Sequence, residues 1–76
     1  MITVRLYGLL RLNSGIKERQ LEAASMKEVF TQLSREGISR KELEGSIILI
    51  NGKSSNKRSK LSNGDTVVLM SPVAGG

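Results

Sequence analysis

Ser25-Met26-Lys27-Glu28-Val29-Phe30-Thr31-Gln32-Leu33-Ser34-Arg35-Glu36-Gly37 decides the fold. Ser25 with Glu28 three residues on is a capping box: the hydroxyl accepts a free amide of the first turn, and the carboxylate reaches back. Met26, Val29, Phe30 and Leu33 fall at i, i+3, i+4 and i+7, one apolar stripe. Gly37 sits where a left-handed residue ends a helix. The spacing predicts a helix from about Met26 to Glu36, its stripe facing a sheet.

Upstream, Met1 to Tyr7 alternates: Ile2, Val4 and Leu6 on one face, Thr3, Arg5 and Tyr7 on the other. That period of two is a half-buried strand. Gly8 to Gly15 reads as a connection with partly buried leucines. Ile16 to Ala23 reads as a second, more polar strand, pairing with the first as a hairpin. Downstream, Ser39-Arg40-Lys41-Glu42 repeats the capping pattern and predicts one helical turn that packs Ile38 and Leu43. Ser46-Ile47-Ile48-Leu49-Ile50 is apolar on both faces, as a central strand is. Asn51-Gly52 is a tight-turn pair. Lys53 to Lys60 has room for a short edge strand. Asn63-Gly64-Asp65 is a further turn, and Thr66 to Met70 is the last strand.

This order predicts an α+β plan: a mixed sheet of four or five strands, first and last as parallel central neighbours, crossed by one main helix. That is the β-grasp arrangement. The 76 residues show no repeat and no linker, so residues 1–76 read as one domain.

Composition narrows the chemistry. The chain has neither cysteine nor histidine, which removes disulfides, the usual zinc patterns and two common catalytic groups; no metal site is expected. No apolar run is long enough for a membrane span, and no signal peptide opens the chain; the expected address is cytoplasmic. The net charge is +5, with Lys53, Lys57, Arg58 and Lys60 the densest basic stretch. Tyr7 and Phe30 are the only aromatics, so single strands find no stacking platform. The basic stretch reads as a solvated hairpin face, not a nucleic-acid site.

The chain closes on Pro72-Val73-Ala74-Gly75-Gly76. Two glycines bury nothing and lose the most backbone entropy when ordered. Such an end is either frayed or made to enter a partner's site, and this one projects directly from a strand without a charged side chain. Its backbone is expected to be held at Pro72 and to loosen from Ala74 onward. One helix shields one sheet face, yet Ile47-Ile48-Leu49-Ile50 and Val67-Val68-Leu69 are apolar on both. An exposed apolar patch is therefore expected at the tail's base, from Leu9, Leu49, Leu69 and Val73 with Tyr7 as an aromatic anchor.

Four stretches resemble the MoaD/ThiS family of ubiquitin-like sulfur carriers: Tyr7 to Gly15, Ile50-Asn51-Gly52, Leu61-Ser62-Asn63-Gly64-Asp65-Thr66-Val67, and Ser71-Pro72-Val73-Ala74-Gly75-Gly76. Within the family, the long first connection and the tail look more like the molybdopterin synthase small subunit than the thiazole-pathway carriers. Ser71 departs from the pattern, standing where those carriers commonly have the first of two prolines.

The resemblance implies that the Gly76 carboxylate is adenylated and converted to a thiocarboxylate. It also implies no bound cofactor, with ATP used by the activating enzyme. The implied partners are an adenylating enzyme of the ubiquitin-activating type, a sulfurtransferase or cysteine desulfurase, and the synthase large subunit or another sulfur acceptor. Extended, Pro72 to Gly76 reaches roughly 16–18 Å into a partner. The alternatives are carriers for thiazole, cysteine or tRNA thiolation, a modifier that forms isopeptide bonds, and a basic binding module. Asn51 and Asp65 read as turn residues.

Overall fold

A computed structural model describes residues 1–72. Its elements run β1 (Ile2–Tyr7), α1 (Leu9–Ser14), β2 (Glu18–Leu21), α2 (Met26–Arg35), α3 (Arg40–Glu44), β3 (Ile47–Ile50), β4 (Lys53–Ser55) and β5 (Thr66–Met70). Among the described residues the five strands form one mixed sheet, in the order β2-β1-β5-β3-β4. β1 and β5 are the parallel pair, in register from Thr3 with Thr66 to Tyr7 with Met70. The other pairings are antiparallel. This is the β-grasp fold, with α2 as its main helix.

The α2 stripe is the centre of the core. Met26, Val29, Phe30 and Leu33 are buried against Ile2, Val4 and Leu6 of β1 and Val67 and Leu69 of β5. The Ser25 hydroxyl accepts the Glu28 amide at 3.3 Å. The Glu28 carboxylate reaches back to the Ala24 amide at 3.1 Å, so the box closes one residue before the cap. At the other end Gly37 has φ 98°. Its amide bonds Ser34 O, and the Ile38 amide bonds Leu33 O, which satisfies two free carbonyls of the last turn. Ile38 and Leu43 are buried, as expected.

Three boundaries differ from the sequence expectations. The helix stops at Arg35, with Glu36 as C-cap. The second strand is shorter than Ile16 to Ala23: Ile16 is buried, while Lys17 and residues 18–20 are exposed. The first connection contains a helix, α1, rather than a loop. Its sequence hides this because Gly8, at the N-cap, has no side chain to cap with. Leu10 turns into the core, and Ser14 closes the helix by donating its hydroxyl to Leu10 O at 2.6 Å and accepting the Ile16 amide at 3.0 Å.

Candidate functional site

The two central strands end side by side. Tyr7 is the last residue of β1 and Met70 the last of β5, and they are register partners. One chain then turns through Gly8 into α1; the other passes through Ser71 and exposed Pro72 toward the C-terminus. The base of the tail is thus the meeting point of the β1–α1 turn and the end of β5. Val73, Ala74, Gly75 and Gly76 lie outside the described residues, and so does the expectation that the chain loosens from Ala74.

Register decides which apolar side chains surround this point. Side chains alternate across a sheet, so partners in register share a face. Ile47, Met70 and Tyr7 make one row across β3, β5 and β1; Leu49, Val68 and Arg5 make the next. Both rows lie on the face away from α2. Tyr7 and Ile47 are exposed by 38% and 45%, whereas Leu49, Val68 and Met70 are half-buried. Leu9 is exposed at the start of α1.

Leu69 does not belong to this surface. It pairs with Ile48, on the opposite face from Leu49, and is fully buried in the core. Two residues in register at Leu49 and Val68 cannot have a neighbour of either on the same face. The expected patch of Leu9, Leu49, Leu69, Val73 and Tyr7 thus loses Leu69, and Ile47, Val68 and Met70, which it did not include, lie on the open face. The signal that finds them is phase: once Val67 and Leu69 are placed inward, the even positions of β5 must point outward.

The flank of the face is cationic. Arg5, Tyr7, Arg11, Lys17 and Glu18 line a shallow groove of about 430 Å³ together with Leu6. Arg5 donates to Glu18 at 2.9 Å. That hydrogen bond, with the nearby Tyr7 oxygen, raises the guanidinium pKa above its ordinary range. No helix among the described residues is long and apolar enough to cross a membrane.

The chain is similar to several solved structures. One is a chain of the protein–protein complex of subunits 1 and 2 of molybdopterin-converting factor from Helicobacter pylori, at 25% identity, covering 99% of this chain and 97% of that one, with TM-score 0.74. A second is a chain of the Amycolatopsis orientalis BexX/CysO complex, at 21% identity, covering 100% of each, with TM-score 0.80. A third is small archaeal modifier protein 1 from Methanosarcina acetivorans, at 22% identity, covering 99% and 95%, with TM-score 0.81. No curated protein matches the chain at a significant level. The model of the ThiS family matches residues 4–76, nearly the whole length. The chain belongs to the ThiS family, among the ubiquitin-like sulfur carriers of the ThiS/MoaD class.

Proposed function

We propose that this chain carries sulfur on Gly76 and donates it in molybdopterin assembly, as the small subunit of a two-subunit synthase. The observation that carries the reading is the shared end of β1 and β5. It puts Ser71 and Pro72 at the edge of the sheet face that α2 leaves uncovered, which bears Tyr7, Ile47, Leu49, Val68 and Met70. The assignment to molybdopterin is supported by the Pro72-Val73-Ala74-Gly75-Gly76 ending and by the likeness to the Helicobacter pylori chain.

The chemistry follows from the poor electrophilicity of a carboxylate. A Gly76 carboxylate oxygen attacks the α-phosphorus of ATP, and pyrophosphate leaves. The resulting acyl adenylate has AMP as a good leaving group. The terminal sulfur of a persulfide, carried by a sulfurtransferase or cysteine desulfurase, attacks the carbonyl carbon and the C–O bond to AMP breaks; a thiol then cleaves the S–S bond of the acyl disulfide, leaving a disulfide and the thiocarboxylate. That sulfur is a soft nucleophile for an acceptor held by the large subunit. Gly75 and Gly76 suit the task because a bare backbone passes through a channel too narrow for a Cβ.

The open face is the docking surface in this reading. Fully desolvated aromatic and aliphatic anchors supply most interface energy. The flanking Arg5, Arg11 and Lys17, with a net charge of +5, favour a partner with an acidic rim.

Mass spectrometry tests the reading. After incubation with an adenylating enzyme, ATP and a sulfur donor, the intact chain should gain the difference between a sulfur and an oxygen atom. The thiocarboxylated chain mixed with a synthase large subunit should return to its original mass as sulfur passes to the pterin precursor. Gly-Gly remnants on the lysines of other proteins, without that transfer, would identify a modifier instead.

A further inference from the structure

Helix α1 is capped from the far end of the chain. Gly8 holds its N-cap position, at φ 67° and ψ −142°, with no side chain to accept an amide. The first-turn amide of Leu10 nevertheless has a partner: the Ser71 hydroxyl accepts it at 2.9 Å, across 61 residues of sequence. The two backbones approach closely here. A Cβ built on Gly8 would lie 3.4 Å from the Ser71 Cβ, at the short end of van der Waals contact. The Ser71 amide faces the Tyr7 carbonyl at 3.5 Å, the outer limit of a hydrogen bond. The short bond that holds Ser71 is therefore the one through its hydroxyl.

The geometry points to Ser71 as a positioning residue. Its hydroxyl, locked on the Leu10 amide, sets the direction in which Pro72 and the reactive terminus leave the domain. The inference rests on the carrier reading above, since a direction matters only if a partner must receive the tail. Pro72 transmits the setting because its ring fixes φ and removes one pivot. Without the hydroxyl, residue 71 turns about its link to Met70, and the productive direction is populated for a smaller fraction of the time. Apparent affinity for the activating enzyme falls by that fraction. The carboxylate chemistry is untouched, so the cost falls on KM and not on kcat. One net hydrogen bond corresponds to a change of about threefold to tenfold.

Ser71→Ala and Ser71→Thr test this, well below the unfolding temperature. Two measurements are made: Cα–Hα residual dipolar couplings at residues 71 and 72 with exchange of the Leu10 amide, and kinetics of ATP–pyrophosphate exchange with a purified adenylating enzyme. Ser71→Ala is expected to speed Leu10 exchange, change the couplings at residue 72 and raise KM for the carrier by about threefold to tenfold at unchanged kcat. Ser71→Thr keeps the oxygen and should restore all three. A mere loss of stability would shift the denaturation midpoint and leave KM alone. Unchanged couplings at residue 72 in Ser71→Ala overturn the proposal, and so does a fall in kcat at constant KM. If the unaltered chain were not adenylated at all, the carrier reading would fail, while the couplings would still decide whether Ser71 orients Pro72.

Discussion

The Asn51 carboxamide donates to the Asp65 carboxylate at 2.9 Å, tying the turn after β3 to the turn before β5. Asn51 Oδ1 also accepts the Thr66 amide at 2.9 Å. The second Asp65 oxygen accepts the Ser62 amide at 2.8 Å. Asn51 itself has φ 51°, a left-handed conformation that its short polar side chain tolerates better than most. This brace lies at the start of β5, the opposite end of that strand from the tail.

Asn51→Ala should therefore cost stability and spare activation. It removes two hydrogen bonds and leaves alanine in a strained conformation, a loss of about 1–3 kcal/mol. Urea unfolding reads the loss. KM for the activating enzyme should stay unchanged, because no element of the tail's base moves.

The same brace makes stability depend on acid. The Ser62 amide and then the Asn51 carboxamide stabilise the charged form of Asp65 and lower its pKa below the ordinary value. An unfolded aspartate titrates near about 3.9. The stabilisation is complete above that value and disappears as pH falls through the lower folded-state value. Unfolding midpoints measured from neutral pH downward should show this loss, and Asp65→Asn should flatten that part of the curve. An identical acid limb in the variant would mean that other carboxylates carry it.

Much of this was legible in local sequence because the governing interactions are local. Ser25 caps the helix it begins, Gly37 ends it, and the stripe from Met26 to Leu33 meets the core without any long-range information. Helix α1 was not legible, since its cap oxygen comes from Ser71. No window around Gly8 contains that residue. Leu69 was assigned to the wrong sheet face for a related reason. Ile47 to Ile50 and Val67 to Met70 are apolar without a break, so composition says nothing about their phase, and only the pairing of Leu49 with Val68 and of Ile48 with Leu69 assigns each to a face.

Ser25→Ala should destabilise the fold by about 1 kcal/mol, the usual worth of an N-cap. The Glu28 amide loses its acceptor in the variant, while the bond from Ala24 to Glu28 remains. The denaturant midpoint should fall and the rate of thiocarboxylate formation should hold. A midpoint unchanged within error would show that solvent replaces the hydroxyl without penalty.

Leu69 and Ile47 should part company under substitution. Leu69 is fully enclosed, so Leu69→Ala leaves a cavity and costs about 2–5 kcal/mol. Ile47 is 45% exposed. Ile47→Glu should change stability by under about 1 kcal/mol, the span of strand propensities. It places a carboxylate in the row with Met70 and Tyr7, where a docked partner would have to desolvate it. Adenylation at low carrier concentration should then fall by about tenfold or more, as for a central interface residue. Equal activity in Ile47→Glu and the parent would move the docking surface off this face.

Deleting Gly76 should abolish activation and leave the fold intact. Among the described residues the apolar core runs from Ile2 to Leu69, and a glycine adds no side chain to it, so unfolding by urea and the circular dichroism of the truncated chain should match the parent. What changes is reach and width. The truncated carboxylate stops one residue short, about 3.3–3.6 Å, of where the α-phosphate waits. That distance exceeds the tolerance of a near-attack geometry, in which the reacting atoms lie about 3–3.5 Å apart. Gly76→Val keeps the length but adds a branched side chain to a channel argued to fit bare backbone, and should fail as well. ATP–pyrophosphate exchange with the adenylating enzyme measures both variants. Exchange as fast in the truncated, folded chain as in the parent would mean that Gly76 is not the reacting residue, and the thiocarboxylate reading would have to be abandoned.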